Sequence, residues 1–241
     1  MITATTQREK EEKLLKSLKD PNEDHSTQIS KLIDDTIKKG HKVYCATDWH
    51  LWTRLVKNKP ACKKRKEFDK ILKNINETLT KDDLLIYLGD LVDGEFQEKE
   101  ELKSILLTLP GKKVMVLGNN DLFGPAFYKS CGFDYVVQSF VWDDILFTHI
   151  PIRNSNHLNV HGHLHSNLYK PVYWIPYRNH IDVAWIGGRE KPIELKDVLK
   201  KQKSYSKIIK EDPSHFEEGY NIQVGLFDMI CGAWIPDPHD D

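Results

Sequence analysis

The sequence predicts an α/β domain built on a parallel sheet, and three observations carry that expectation. Between residues 42 and 117, apolar runs that read as buried strands alternate with amphipathic helical stretches. Short strings of Asp, Asn and His follow those runs directly, where sites in such sheets form. The chain has 241 residues, 39% of them hydrophobic, enough to cover both faces of a sheet. Strand–helix–strand order argues for parallel pairing because parallel strands need a crossover, usually helical.

Residues 1–40 read as a polar helical extension. A first helix over Gln7–Lys19 has only Leu14, Leu15 and Leu18 as apolar contacts, and Pro21 ends it. A second spans Thr27–Lys39, with Ser26 as cap, a face of Ile29, Leu32, Ile33 and Ile37, and Gly40 as terminator. Lys42–Thr47 is a buried-type strand. Lys66–Leu79 is a helix with Phe68, Ile71, Leu72, Ile75 and Leu79 on one side. Leu84–Leu88 is a strand, Lys99–Leu109 a helix and Lys113–Leu117 a strand. After Gly124 short strands dominate: Tyr135–Gln138, Phe140–Trp142, Ile145–His149, Leu158–His161 and Ile181–Trp185. Asp143-Asp144 reads as a hairpin turn, so this half suggests a second, more antiparallel sheet. Residues 204–241 read as an extension carrying one added strand at Tyr220–Phe227 and a frayed acidic end.

Lys plus Arg is 35 and Asp plus Glu is 36, giving a net charge of −1. A nucleic-acid coat protein or membrane-surface binder is normally far more basic. A nucleotide or nucleic-acid substrate remains compatible, although charge does not indicate one. Cys45, Cys62, Cys131 and Cys231 are scattered, which reads as reduced thiols in a cytoplasmic protein. No signal-peptide pattern and no membrane-length apolar run is visible.

Four strings carry the chemistry: Asp48-Trp49-His50, Gly89-Asp90-Leu91-Val92-Asp93, Gly118-Asn119-Asn120-Asp121 and Gly162-His163-Leu164-His165, with His149 between the last two. Asp48 and His50 are two apart; in an extended segment both point the same way and can reach one ion, and His163 and His165 repeat that spacing. Asp90 directly follows a strand, where a carboxylate can bridge two ions. Oxygen and imidazole donors without thiolate suit Mn²⁺, Fe²⁺, Ni²⁺, Co²⁺ or Zn²⁺ rather than a closed structural zinc site.

In this order the strings resemble the calcineurin-like metallophosphoesterase superfamily, whose pattern is D-x-H, G-D-x-x-D, G-N-H-D/E, a histidine and G-H-x-H. The resemblance spans about residues 42–200, closing softly with Lys191-Pro192-Ile193-Glu194-Leu195. It implies a four-layer α-β-β-α sandwich of two mixed sheets flanked by helices, with the domain at 41–203. It implies two divalent metal ions, manganese the first choice. Asp48, His50 and His165 would hold one, Asn119, His149 and His163 the other, and Asp90 both. Asp93 would orient the third motif. Asn120 stands where the family usually has histidine, which binds the phosphate and helps protonate the leaving group. Asn donates a hydrogen bond but no proton. Leaving groups of high pKa should then be poor substrates. Because some small relatives with Cys at this position resemble phosphodiesterases with weak monoesterase activity, the resemblance favours a phosphodiester as the phosphoester substrate.

Plainer readings exist for several residues. Asp93 could cap a helix, Asp121 could be a turn residue, and His161 reads as a second-sphere or satisfied core histidine. The run Lys57, Lys59, Lys63, Lys64, Arg65 and Lys66 reads as a solvated loop that could also meet phosphate. Trp49 and Trp52 could stack on a base or pack a loop, and Arg178 and His180 could face the same cleft. The competing functions are a scaffold on a retired enzyme fold and a nuclease component docked through residues 1–40.

Overall fold

The run Leu84-Leu85-Ile86-Tyr87-Leu88 sets the architecture. Five successive non-polar or aromatic side chains alternate between opposite faces, so a strand made of them needs cover on both. The computed structural model of the protein describes residues 22–51, 61–92, 99–152, 157–163 and 180–200 (backbone only at 22–24, 61–68 and 185). In chain order the elements are α1 (Asn22–Lys38), β1 (Val43–Ala46), α2 (Ala61–Thr78), β2 (Leu84–Leu88), α3 (Lys99–Leu107), β3 (Lys112–Val116), α4 (Pro125–Ser130), β4 (Tyr135–Val137), β5 (Phe140–Trp142), β6 (Ile145–Phe147), β7 (Leu158–His161), β8 (His180–Asp182) and β9 (Ile193–Glu194).

The first sheet has the order β4-β3-β2-β1-β9 and the second β5-β6-β7-β8. Strands β1 to β4 are parallel and β9 is an antiparallel edge. The registers Val43↔Leu84 and Leu84↔Lys112 bring the carboxyl ends of β1, β2 and β3 to one edge. Both faces of the sheet are buried. Leu85 and Tyr87 join Tyr44, Ala46 and Met115 against Ile75, Leu102, Leu106 and Tyr128 of the helical layer. Leu84, Ile86 and Leu88 join Val43, Cys45, Val114 and Val116 against Phe140, Phe147, Val160 and Ile181 of the second sheet. Two mixed sheets flanked by helices is the architecture the sequence resemblance implied.

Helix α1 contributes Ile29 and Ile33, both fully buried, to the core between the sheets. Ser30 Oγ donates to the Val141 carbonyl at 2.9 Å, and the Trp142 indole to Asp34 Oδ1 at 2.8 Å. Gly40 terminates it as expected, at φ 80. The helix begins at Asn22, a turn earlier than expected, so Ser26 lies inside it and does not cap it. A Ser inside a helix costs little, and the Ile29/Ile33 stripe outweighs it.

Three further expectations are corrected. Among the described residues the second sheet contains a single antiparallel pair, β5–β6, while β6–β7 and β7–β8 are parallel. Only β5 and β6 are joined by a tight turn, at Asp143 and Asp144 with φ 47 and 61, the left-handed pair a two-residue hairpin demands. The segments 148–157 and 162–179 are long enough to cross over, which short-strand spacing alone disguised. Strand β4 belongs to the first sheet, parallel to β3. The expected strand Ile181–Trp185 is instead β8 followed by a wide helical turn at Ala184–Gly188. The expected helix at 7–19 and strand at 220–227 lie outside the described residues. No helix among the described residues is long and apolar enough to cross a membrane.

Candidate metal centre

The segments that follow β1, β2, β3, β6 and β7 converge. Asp48 and His50 follow β1, Asp90 follows β2, Asn119 and Asn120 follow β3, His149 follows β6 and His163 follows β7. Their donor atoms form two groups that share one residue. The ligand atoms of Asp48, His50 and Asp90 lie within 4.8 Å of one another, as do those of Asp90, His149 and His163. Asp90 Oδ2 is 3.6 Å from His50 Nε2 and 3.3 Å from His149 Nε2. His50 Nε2 lies 3.7 Å from Asp48 Oδ1. Asn119 Oδ1 is 3.0 Å from His149 Nε2. His165 and Asp93 lie outside the described residues.

The extended-strand argument for Asp48 and His50 does not hold. Both have left-handed backbones, φ 55 and 43, as do Asp90 at 56 and His163 at 74. Convergence comes from the loops curling back, not from strand alternation. Asp, His and Asn are the non-glycine residues that best tolerate this region. The glycines beside them have no room for a side chain. A Cβ on Gly162 would collide with Thr47 Oγ1 and sit 2.6 Å from Asp48 Oδ2; one on Gly118 would collide with Asp90. Gly89, at φ 84, lies against the His149 ring, where a Cβ would sit 2.6 Å from Nδ1.

Burial orders the chemistry. The carboxylates form the floor, Asp48 at 0% and Asp90 at 1% exposure. His50 and His163 are half-buried and Asn119 is exposed at the rim. Two anions so deeply buried need cationic partners. Burial alone raises the Asp90 carboxyl, but hydrogen bonding and charge from His149, with His50 and the Asn120 amide, hold it below its ordinary range. Burial likewise opposes charge on His149, yet Asp90 and Asp48 raise it to about 9. His149 Nδ1 lies 2.7 Å from the Leu88 carbonyl and must donate to it. In the charged ring Nε2 donates toward Asp90 and Asn119; in the neutral ring it is the nitrogen left free to bind an ion. Converging carboxylate, amide and imidazole donors fit a hard or borderline divalent cation.

Asn120 sits in this cluster. Its backbone N–H donates to Asp90 Oδ1 at 2.9 Å and its side-chain amide to Asp90 Oδ2 at 2.8 Å. Trp49 is buried and packs at a tilt against Tyr87, centroids 4.5 Å apart, so it packs the loop. His161 is a core residue, its Nδ1 2.8 Å from the Gly162 carbonyl, and burial lowers it to about 3. His180 is buried with its ring 5.4 Å from that of His161. Trp52, Arg178 and the lysine-rich run at 57–66 lie outside the residues whose side chains are described.

Residues 41–225 match a family model, that of the calcineurin-like phosphoesterases. The chain belongs to this family. An uncharacterised protein of Methanocaldococcus jannaschii is 28% identical over 163 residues, covering 66% of this chain and 90% of the relative. Among solved structures, a protein of unknown function from Aquifex aeolicus superposes with a TM-score of 0.51 at 24% identity, covering 66% of this chain and 98% of the other. That likeness speaks for the fold. The Pseudomonas putida nuclease MPE gives a TM-score of 0.40 at 18% identity over 51% of this chain and 61% of its own.

Other side chains of this calcineurin-like phosphoesterase escaped sequence reasoning. Thr47 Oγ1 lies 2.7 Å from Asp48 Oδ2, and Arg189 Nε donates to the Asp48 carbonyl at 3.0 Å. Tyr87 and Tyr128 are fully buried with their hydroxyls at the ligand loops. For Tyr87 the available signal was a phenol inside an otherwise apolar run, since a buried Tyr hydroxyl requires a partner.

Asp121 is more than a turn residue. Its Oδ2 accepts the Asp90 and Gly118 N–H groups, both at 2.8 Å, and its Oδ1 accepts the Leu91 N–H at 2.9 Å and the Tyr128 hydroxyl at 3.2 Å. It ties the second ligand loop to the third, and burial raises its carboxyl to about 6. Asp121→Asn places an amide N–H against at least one of those backbone N–H groups in either orientation. An orphaned buried donor costs about 1–3 kcal/mol, so a stability loss of about 2 kcal/mol or more is expected in denaturant unfolding. An unchanged midpoint refutes the clamp.

Proposed function

We propose that the protein is a dinuclear, divalent-metal-dependent phosphoester hydrolase that favours phosphodiesters. The observation that carries this is the single carboxylate Asp90 serving two donor groups, Asp48 with His50 on one side and His149 with His163 on the other. Asp48, His50 and His165 would hold one ion; Asn119, His149 and His163 the other; Asp90 both. Manganese is the first choice among Mn²⁺, Fe²⁺, Co²⁺, Ni²⁺ and Zn²⁺. Ions so placed acidify a water and offset charge on a phosphoryl group during in-line displacement.

The chain's own residues do the rest. The Leu88 carbonyl, accepting from Nδ1, leaves His149 Nε2 as the nitrogen that would bind an ion. Asn120 holds Asp90 by two hydrogen bonds and offers an amide to a phosphate oxygen. Asp93 would position that loop. No proton donor stands at position 120, and general acid assistance is worth about 10²–10⁴-fold. Esters with good leaving groups are therefore the expected substrates, and the resemblance favours diesters among them. Near-neutral charge favours a small or nucleotide-containing ester over duplex nucleic acid. Cys45 and Cys131 are free and buried, which fits a cytoplasmic location.

The test is hydrolysis of bis-p-nitrophenyl phosphate with added Mn²⁺. Turnover that EDTA removes and Mn²⁺ restores is the expected outcome, with alkyl monoesters slower than diesters. Absence of turnover with every one of the five metals refutes the proposal.

A further inference from the structure

We infer that the phenol of Tyr87 is a positioning group for one half of the candidate metal centre, that formed by Asp48, His50 and Asp90. The inference rests on the metal-centre reading above and adds a residue that neither the motifs nor the family pattern assigns.

The first two ligand loops are joined by a backbone ladder. Asp48 N–H donates to the Gly89 carbonyl at 3.0 Å, His50 N–H to Asp90 at 3.0 Å and Leu51 N–H to Leu91 at 2.9 Å. Trp49, between the two ligands, takes no part in this ladder. Its N–H donates instead to the Tyr87 hydroxyl at 2.9 Å. The same hydroxyl donates to the Asp90 carbonyl at 3.2 Å. One buried oxygen thus binds the residue between Asp48 and His50 to the backbone of Asp90. With the His50 N–H, the Asp90 carbonyl then has two donors, its full capacity.

Burial removes the alternative. Tyr87 has 0% exposure, so bulk water cannot replace the phenol as the acceptor for Trp49. The ring is fixed by the Trp49 indole and by Leu85 and Met115 of the same core face. Asp90, which it binds, and Asp48 and His50, which flank the Trp49 it binds, all have left-handed backbones. Such conformations persist only where surrounding bonds over-determine them. Without the hydroxyl, the loop is free to relax toward an ordinary backbone, which moves Asp48 and His50 relative to Asp90. His149 and His163 come from the second sheet, and His149 is fixed by Leu88 rather than by Tyr87. Asp90 is also held by Asn120 and Asp121, while the His163 N–H donates to the Asp48 carboxylate at 3.1 Å, so the effect should be larger on the Asp48–His50 half without being confined to it.

The experiment is an equilibrium Mn²⁺ titration, read as free-Mn²⁺ electron paramagnetic resonance, on the intact protein and on Tyr87→Phe. The substitution keeps the ring and its packing. Ile86→Val serves as control: it thins the core on the opposite face of β2 without touching the loops. Outer hydrogen-bond partners of metal ligands are worth roughly 10–100-fold in affinity. Tyr87→Phe should weaken one of two binding events by that factor and the other distinctly less, while Ile86→Val changes neither. Amide exchange of Trp49 in the unaltered protein is a check that needs no variant: the amide should be protected like the β2 core. An isotherm for Tyr87→Phe matching the intact protein, equal weakening of both events, a comparable effect from Ile86→Val, or rapid Trp49 exchange each overturns the inference alone. If the intact protein binds no Mn²⁺ or other divalent ion, the metal-centre reading fails with it.

Discussion

Asp90→Asn is expected to lower kcat/KM on bis-p-nitrophenyl phosphate by on the order of 10³-fold or more, at the upper end of what removing one transition-state stabiliser costs, with loss of bound metal. The reason is position. Asp90 Oδ2 lies between His50 Nε2 at 3.6 Å and His149 Nε2 at 3.3 Å, so one substitution removes the anion both donor groups share. Geometry adds to charge. Asp90 Oδ1 accepts the Asn120 N–H and Oδ2 the Asn120 side-chain amide. An amide at position 90 turns one of these acceptors into a donor facing a donor. Elemental analysis, turnover and circular dichroism on the same sample separate lost metal from lost fold. A folded variant that keeps its metal and its rate removes Asp90 from the centre of the proposal.

The second large effect runs the other way. Asn120→His is expected to raise activity on alkyl phosphomonoesters by on the order of 10²-fold, because it supplies a proton donor where the chain has none. The half-buried Asn120 already sits beside Asp90, so an imidazole there lies within the same cluster. The gain should grow with leaving-group pKa and be small for p-nitrophenyl esters. If alkyl monoesters are cleaved no faster while Asp90→Asn abolishes turnover, the absent acid is not what limits this protein.

The ligand strings were legible because each follows an apolar run that burial makes unambiguous. Leu84–Leu88 and Leu158–His161 were bounded correctly for that reason. The pairing of the second sheet was not legible. Strands of three or four residues look alike whether the chain turns back or crosses over, and only Asp143-Asp144 carried local turn chemistry. The convergence of Asp48 with His50 was anticipated for the wrong reason, since a two-residue spacing says nothing about left-handed loops. Tyr87 and Asp121 were underestimated because their work is done through backbone N–H and carbonyl groups, which no residue pattern displays. Ile29 and Ile33 were read as one face of an appended helix, whereas they fill the core between the sheets.

The positive φ angles at Asp48, His50, Asp90 and His163 carry a consequence for substitution. Each position must satisfy two demands at once, a donor atom for a cation and a main chain wound against the usual hand. Aspartate, asparagine and histidine meet both; glutamate offers the same charge with a poorer fit to that winding, and glycine offers the winding with no donor. Exchanging aspartate for glutamate at residue 48 or 90 is thus not a conservative change, even though the formal charge stays the same.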